Sequence, residues 1–443
     1  MNLSAGAKKI LALLGAYETY VVGGCVRDDL LGYEVHDFDL CTSALPEEIK
    51  TCCRVFPVIE TGIKHGTVTV LTPEPIEVTT FRVESAYSDG RRPDSVSFTG
   101  KLTEDLRRRD FTVNAIAYHP DVGYVDPFHG KEDGERGILR AVGNPYERFE
   151  EDALRILRGM RFASRFGFTV EEQTARAMQE CRERLARVSV ERIYSELCGF
   201  LIGKDVFRVG MQFKEILFSV IPELKACDGF AQNNVHHEYD VFEHTLHAVS
   251  EAERNLILRL VMLFHDVGKP LCYSFIDGQG HFYGHAKKSA ELARTILTRL
   301  KADKATIERV ELLVLYHDYP VVTEERAVSR LVGKIGKEAF LELCEVKKAD
   351  SLSLAKPFRK ERTELIEAWK TVFLRLEEKN ACFSLKDLAI KGGDVTALGF
   401  QGREVGVILK AVLAEVLDGT LENEKENLLN FIRRKRDFFL SNR

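Results

Sequence analysis

No pair of the chain's ten cysteines is separated by two residues, and Cys52 and Cys53 are adjacent. Disulfide and zinc frameworks are therefore not expected, and reduced thiols in a cytoplasm are. No apolar run approaches the roughly 20 residues of a membrane span. Met1–Leu14 has a short amphipathic pattern without the apolar core and cleavage site of a secretory leader, so none is expected. Internal repeats and low-complexity tracts are missing as well. Excess positive charge is also lacking. A net charge of -5 argues against a protein that coats nucleic acid indiscriminately, but leaves room for a local basic groove. Lysine is absent from Arg136 to Arg192, where twelve arginines face nine acids. Arginine forks onto phosphates and base edges, although composition alone fits a solvated helical face equally well.

At 443 residues, 30% charged and 45% hydrophobic, the chain reads as a soluble protein of two to four domains. Strands are expected over Tyr17–Val22, Phe38–Thr42, Thr67–Leu71 and Ile76–Arg82. Glu84–Gly100, rich in Gly, Pro, Ser and Asp, is expected to be a long mobile loop of functional weight. After about Pro145 helical periodicity dominates. The boundaries expected are a mixed head over residues 1–140, a helical neck over 141–205, a body over 206–378 and a tail over 379–443.

Gly23-Gly24-Cys25-Val26-Arg27-Asp28 lies just upstream of Asp37-Phe38-Asp39. The glycines let backbone approach phosphate oxygens at a helix start, and Arg27 adds a charge-assisted contact. Asp37 and Asp39, two apart on a strand, point to one face and suit Mg²⁺, which leans on one or two carboxylates plus substrate phosphates. Two such ions would activate a hydroxyl and stabilise a leaving pyrophosphate. Alone, each motif is commonly a turn; both within seventeen residues, Gly23 to Asp39, is a much rarer combination. Glu77, on a strand that can lie beside the aspartates, is a third acidic candidate; an edge-strand surface residue is the alternative. Arg107-Arg108-Arg109, read as a helix-start cluster, opposes the helix dipole, which favours an anionic ligand. In Glu151–Arg161 a continuous helix would gather Ala153, Ile156, Leu157, Met160 and Ala163 on an apolar arc. Asp152, Arg155, Arg158 and Arg161 fall opposite, offering both acceptors and donors to a nucleobase edge.

GGCVRDDLLG (23–32) with DFD (37–39), TGIKHGTVTV (61–70), EVTTFR (77–82), GRRPDSVSFTGKLTEDLRRRDFTVNAIAY (90–118), VDPFHGKED (125–133) and RFEEDALRILRGMRFA (148–163) stand in this order. Together they resemble the class II tRNA nucleotidyltransferases, the CCA-adding enzymes and bacterial poly(A) polymerases. The resemblance implies an α+β fold: a five-stranded polymerase-beta-like head with a small mixed sheet, then an all-α neck, body and tail. It implies that Gly23, Gly24 and Arg27 meet the incoming triphosphate and that Asp37 and Asp39 hold Mg²⁺ with Glu77 as third acid. Arg109 and Asn114 would bind nucleotide; Asp152 and Arg155 would read CTP or ATP without a template, with Arg158 and Arg161 completing the pocket. The expected partners are tRNA, CTP and ATP, with no membrane and with monomer and homodimer both open. The expected reaction is CCA addition to the tRNA 3′ end. CC-only, A-only and poly(A) synthesis are the alternatives inside the family, with the mobility of Glu84–Gly100 as the expected discriminator.

Eight of the twelve histidines lie between His236 and His317. His244, His265-Asp266 and Asp350, in expected helices, resemble the HD-domain phosphohydrolases, and imidazole plus carboxylate suits a divalent metal. His285 and His317 would extend this to a second metal. His236, His237, His247 and His281 are read as surface or helix histidines. Such a site would hydrolyse phosphomonoesters or 2′,3′-cyclic phosphates, trimming damaged tRNA ends. Its being the chain's main activity, or the chain being a purely structural tRNA binder, are readings from other classes; the DxD pair argues against both. The tail from Lys391 resembles the family's segment that approaches the tRNA elbow. Arg433–Arg436 reads as a solvated helix end that can also meet phosphates.

Overall fold

Alternating β-branched and polar residues put one apolar row of each head strand into a common core. In the computed structural model, which describes residues 1–35, 37–84 and 96–441, the strands are β1 (Thr19–Val22), β2 (Asp39–Thr42), β3 (Val58–Ile59), β4 (Thr67–Leu71) and β5 (Pro75–Thr80). β6 (Arg82–Glu84), β7 (Val96–Phe98), β8 (Ala117–His119) and β9 (Gly123–Val125) follow. β6 and β7 form a separate antiparallel ribbon. The others make one seven-stranded sheet in the order β3-β4-β5-β2-β1-β8-β9. The five strands implied by the family resemblance are thus extended by short edge strands. β2 runs parallel to β5, with Asp39 opposite Glu77, and antiparallel to β1, with Asp39 opposite Val22. Val21, Leu40, Val68, Ile76 and Val78 pack with Ala7 and Ile10 of α1 (Ala5–Leu13).

Three expectations change locally. β2 starts at Asp39, so Asp37 precedes the strand. The expected loop contains strand β7, and its residues 85–95 lie outside the described residues. The arginines at 107–109 close helix α4 (Leu102–Arg107; α2 and α3 are Gly24–Leu30 and Pro46–Cys52) rather than opening one. There they agree with the helix dipole, so the argument from dipole conflict falls away.

After α5 (Gly130–Glu135), the expected helix Glu151–Arg161 is two helices, α6 (Pro145–Glu151) and α7 (Leu154–Phe166), broken at Asp152 (φ -142, ψ 103). The Asp152 carboxylate accepts the amide of Leu154 at 2.9 Å. This is the local competition by which Asp ends one helix and starts another. The apolar arc is otherwise as read: Ile156, Met160 and Ala163 are fully buried. α8 (Glu172–Glu180), α9 (Val190–Leu201), α10 (Val206–Gln212) and α11 (Lys214–Val220) complete a first compact unit, Met1–Pro222.

The second unit, Glu223–Arg443, is helical apart from a short hairpin. Its body comprises α12 (Val241–Glu251), α13 (Leu256–Phe264), α14 (His285–Arg299), α15 (Lys304–Tyr316), α16 (Glu325–Ile335), α17 (Lys337–Ser353) and α18 (Lys356–Glu378). α13 is buried continuously from Leu258 to Phe264, as a helix apolar on all sides must be. The only tryptophan, Trp369, meets Phe340 edge-on at 4.6 Å. Beyond α18, Leu388, Val395, Phe400, Ile408, Leu428 and Ile432 form a separate tail core. No helix among the described residues is long and apolar enough to cross a membrane.

Gly130 opens α5 where a Cβ would lie 2.0 Å from the Thr112 carbonyl oxygen, a backbone atom that cannot step aside. Gly130→Ala is expected to lower the stability of the first unit by about 1–3 kcal/mol, read as a shifted urea midpoint.

Candidate functional site

The chain leaves β1 through Gly23, whose φ of 82 and ψ of -133 suit only glycine, and enters α2. A Cβ at Gly23 would stand 3.1 Å from Nη1 of Arg109. The carboxyl of Asp39 is pushed up by desolvation and by the charges of Glu77 and Asp37, against the pull of Arg109. Three carboxylates crowding one strand end are relieved by a cation, and their hard oxygens fit Mg²⁺. Arg109 keeps Nη2 3.4 Å from Asp105 and has a buried Nε without a partner.

Gly23, Gly24 and Asp39 share a cavity of about 440 Å³ with Asp152, Arg155, Arg158, Arg161 and the additional Arg192. Seven arginines and three aspartates line it, a balance built for an anion. The volume lies within the ~300–1,000 Å³ range of small-molecule sites.

Most of these guanidiniums are already engaged. Arg27, 6% exposed, reaches Asp28 at 2.6 Å, donates to Asn114 Oδ1 at 2.7 Å, and lies over the rings of Phe162 and Phe166. Asn114 donates to Oδ1 of Asp110 at 2.9 Å, and Arg158 forks onto Oδ2 of Asp110 at 2.7 and 2.8 Å. Burial alone would raise the Asp110 carboxyl; Arg158, Asn114 and Arg155 hold it well below the ordinary range. Arg161 binds Glu196 at 2.5 Å. Arg155 donates to Glu151 at 2.6 Å and to the Arg108 carbonyl at 2.9 Å. The second oxygen of Asp152 accepts from Arg192 Nη2 at 2.7 Å, while Arg192 Nη1 is buried without a partner. Sequence reading missed Asp110, Arg192 and Glu196 as site residues. The only signal for Arg192 was its membership in the lysine-free arginine stretch.

A second cluster belongs to the other unit. His244 comes from α12, His265 and Asp266 from the end of α13, His285 from the start of α14, His317 from the end of α15, and Asp350 from α17. They fall into two groups, His244–His265–Asp350 and Asp266–His285–His317, in each of which the ligand atoms lie within 4.8 Å of one another. Asp266 turns Oδ2 toward His265 (3.2 Å) and His244 (3.4 Å), and Oδ1 toward His285 (3.4 Å) and His317 (3.7 Å). Burial works against the charge of Asp266 and Asp350; where the inner ring nitrogens carry a proton, His265 with Lys269 holds the Asp266 carboxyl, and His244 with His265 that of Asp350, well below the ordinary range.

The outer nitrogens decide what this cluster can hold. Nδ1 of His265, His285 and His317 sits 2.7–2.8 Å from the carbonyls of Met262, Phe282 and Val314, which can only accept. Ser353 donates its hydroxyl to the Asp350 carbonyl, so its oxygen accepts from His244 Nδ1 at 3.1 Å. In the neutral rings every Nε2 therefore presents a lone pair inward, and these meet at 3.3 Å (His244, His265) and 3.1 Å (His285, His317). Facing lone pairs at such distances call for a cation between them, and the donor set fits a divalent metal in each group. Oδ2 of Asp266 accepts no aligned hydrogen bond, although Lys269 Nζ lies 2.6 Å away. His236 and His237, read as surface or helix histidines, each carry a buried Nδ1 without a partner, and His237 stands edge-on to His244 at 4.8 Å. All ten cysteines are free.

Residues 19–140 match the family model described as Poly A polymerase head domain, and residues 282–432 match tRNA nucleotidyltransferase domain 2. Residues 167–227 match an RNA and SrmB- binding site of polymerase A. The chain is similar to the CCA-adding enzyme of Lactiplantibacillus plantarum (33% identity, 96% of this chain and 95% of that one). It is similar also to that of Enterococcus faecalis (35% identity, covering 95% and 93%). Among solved structures, the Bacillus stearothermophilus CCA-adding enzyme in complex with CTP aligns over 100% of both chains, with a TM-score of 0.69 at 27% identity.

Because its carboxyl is held down in the folded state, Asp110 contributes stability above its unfolded pKa of about 3.9, and loses it as pH falls below that value. Asp110→Ala is expected to lower stability by about 2–3 kcal/mol at pH 7, discounted for the partial exposure of Arg158. The gap to wild type should narrow in urea titrations run progressively below about pH 4.

Proposed function

This chain belongs to the CCA-adding enzyme family, and we propose that its first unit adds CMP and AMP, taken from CTP and ATP, to the 3′ end of tRNA without a template. The carrying observation is that one cavity joins the Gly23–Asp39 end of the sheet to Asp152 and Arg155. Asp37 and Asp39 would hold Mg²⁺, which supplies charge neutralisation at the triphosphate. Gly23 and Gly24 admit the phosphates, and Arg109 meets them with a guanidinium that is largely unspent. Arg27 acts at one remove: bound to Asp28 and Asn114, it fixes the wall of the phosphate end. The tRNA 3′-hydroxyl attacks the α-phosphorus, the bond to the bridging oxygen breaks, and pyrophosphate leaves. Glu77 keeps the strand end acidic beside Asp39.

Choice of base follows from hydrogen-bond polarity. Cytosine and adenine both present an exocyclic amino donor beside a ring-nitrogen acceptor, whereas uracil and guanine present a carbonyl at that place. A carboxylate at Asp152 and a guanidinium at Arg155 complement the first pair and oppose the second. The two side chains exchange their present partners, Arg192 and Glu151, for the base. The tail, with Arg433, Arg434, Lys435 and Arg436 exposed, is read as a tRNA contact. Free cysteines and a tRNA substrate support a cytoplasmic setting for the reaction.

The second unit carries a further reading, favoured by its inward-facing imidazole nitrogens. With a divalent metal in each histidine group, it would hydrolyse phosphomonoesters or 2′,3′-cyclic phosphates, water adding to phosphorus as the ester oxygen leaves with a proton.

Incubation with tRNA lacking its terminus, Mg²⁺ and labelled CTP or ATP tests the first reading. Asp37→Ala and Asp39→Ala are each expected to cut incorporation roughly 10³-fold; undiminished incorporation by either variant rejects it. Sequencing products made with CTP alone, ATP alone and both separates CCA addition from CC-only, A-only and poly(A) synthesis. For the second unit, opening of a 2′,3′-cyclic nucleotide to the nucleoside 2′- or 3′-phosphate by the Mn²⁺-loaded chain should vanish in His265→Ala while CCA addition continues.

A further inference from the structure

Among the described residues that line the first unit's cavity, Phe162 is the single apolar side chain. Its neighbours there are seven arginines, three aspartates, an asparagine and two glycines. An aromatic ring in such a wall can stack on a nucleobase or can serve the arginines. Burial decides between the two. Phe162 is 3% exposed, so its ring offers a base no open face. Guanidinium groups surround it instead: Cζ of Arg161, Arg27 and Arg158 stands 4.3, 5.0 and 5.5 Å from the ring centroid. All three fall within the ~6 Å reach of a cation–π contact.

The sequence explains half of this arrangement. Arg158 is four residues before Phe162 on α7, hence on the same helical face, and Arg161 is its immediate neighbour. Arg27 comes from α2, far earlier in the chain, and its Cζ also lies 4.9 Å from the ring centroid of Phe166. Phe166, one turn beyond Phe162, stacks on it at 6.0 Å and 21°. Phe162 thus touches guanidiniums from both ends of the cavity directly, whereas Asp110 reaches Arg27 through Asn114.

What a ring adds differs from what a carboxylate adds. A carboxylate holds a guanidinium by taking up its N–H groups; a ring face attracts the whole charge and leaves those groups free. The difference matters for Arg161, whose hydrogen bond to Glu196 uses Nε, so that neither terminal nitrogen is committed to a described residue. It matters also for Arg27. Burial works against the charge of Arg27, and a desolvated cation gains more from a ring than an exposed one. Seven like charges in one wall repel one another, and a ring that attracts three of them steadies them without occupying their donors.

We propose that Phe162 is a positioning residue for nucleotide binding, its ring holding Arg27 at the phosphate end and Arg158 and Arg161 on the base-facing helix where a nucleoside triphosphate requires them. The inference rests on the reading of this cavity as the CTP and ATP site. Phe162 touches no reacting atom; it acts through the three guanidiniums.

Phenylalanine at position 162 is replaced in the full-length chain by its 4-fluoro, 3,5-difluoro and 3,4,5-trifluoro forms. Each fluorine withdraws electron density from the ring face, while shape and burial change little. CTP and ATP are titrated calorimetrically with Mg²⁺ and without tRNA, so that binding is read without turnover. Kd for both is expected to rise stepwise, reaching roughly fivefold in the trifluoro form, while kcat for incorporation stays within about twofold. A role in packing alone would leave Kd flat along this series. Phe162→Leu, which keeps an apolar side chain but no ring, should weaken binding at least as much as the trifluoro form. Urea midpoints show whether that variant folds; where it does not, the fluorinated series decides. Beside Arg161→Gln, which removes the nearest cation, the same series should span about twofold or less. A flat Kd across the series overturns the proposal, as does wild-type affinity in Phe162→Leu or an undiminished span beside Arg161→Gln. Those results leave the nucleotide reading standing. Absence of saturable CTP and ATP binding by the wild-type chain rejects that reading itself.

Discussion

The buried carboxylate of Asp110 is the joint on which the first unit's pocket depends. One oxygen, through Asn114, fixes Arg27 at the phosphate end; the other takes both a terminal and the inner nitrogen of Arg158 on the base-facing helix. A carboxylate buried this deeply is tolerated only when its lone pairs are filled, and here the Phe111 amide at 2.8 Å fills one more. The arrangement couples two ends of a cavity built from distant parts of the chain. Arg27 and Arg158 cannot shift independently while both are referred to one anion.

The second unit uses the same device with different partners. Asp266 is 1% exposed and also turns each oxygen to its own group, but the groups are pairs of imidazoles instead of guanidiniums. The difference decides the chemistry. Guanidinium groups bring their own positive charge and close the network without help. Neutral imidazoles bring lone pairs, so the groups around Asp266 offer donors that a cation could take up. One buried carboxylate thus organises a closed structural network in the first unit and two candidate sets of metal donors in the second.

The sequence made these sites legible unevenly, for physical reasons. Gly23, Gly24, Asp37 and Asp39 were readable because a turn and a strand start are local, and the apolar arc of α7 because helical spacing shows it. Glu77 needed only the guess of which strand neighbours β2, and the register puts it opposite Asp39. The break at Asp152 was not visible, since the flanking apolar spacing continues through it; a single carboxylate capping Leu154 decides it. Nor were the partners visible that occupy the arginines. Asp110 with Arg158, Asp152 with Arg192, and Arg161 with Glu196 are 48, 40 and 35 residues apart, beyond any periodicity. The arginine positions were thus readable, whereas their occupation was not. In the second unit the histidine positions were readable by resemblance, but the burial of the Nδ1 atoms of half-buried His236 and His237 was not.

That occupation changes how selection in the pocket must work. Had Asp152 and Arg155 faced open solvent, any ligand able to bond to them would gain nearly the whole of each contact. Each instead holds an internal partner at 2.6–2.7 Å, so a base gains only the difference between its bonds and those it displaces. A base with the wrong polarity offers no compensation for the ion pairs broken and leaves a buried charge unpaired, the more costly outcome. On the proposed reading, the internal ion pairs that withdraw these side chains are what would make their answer to cytosine and adenine selective.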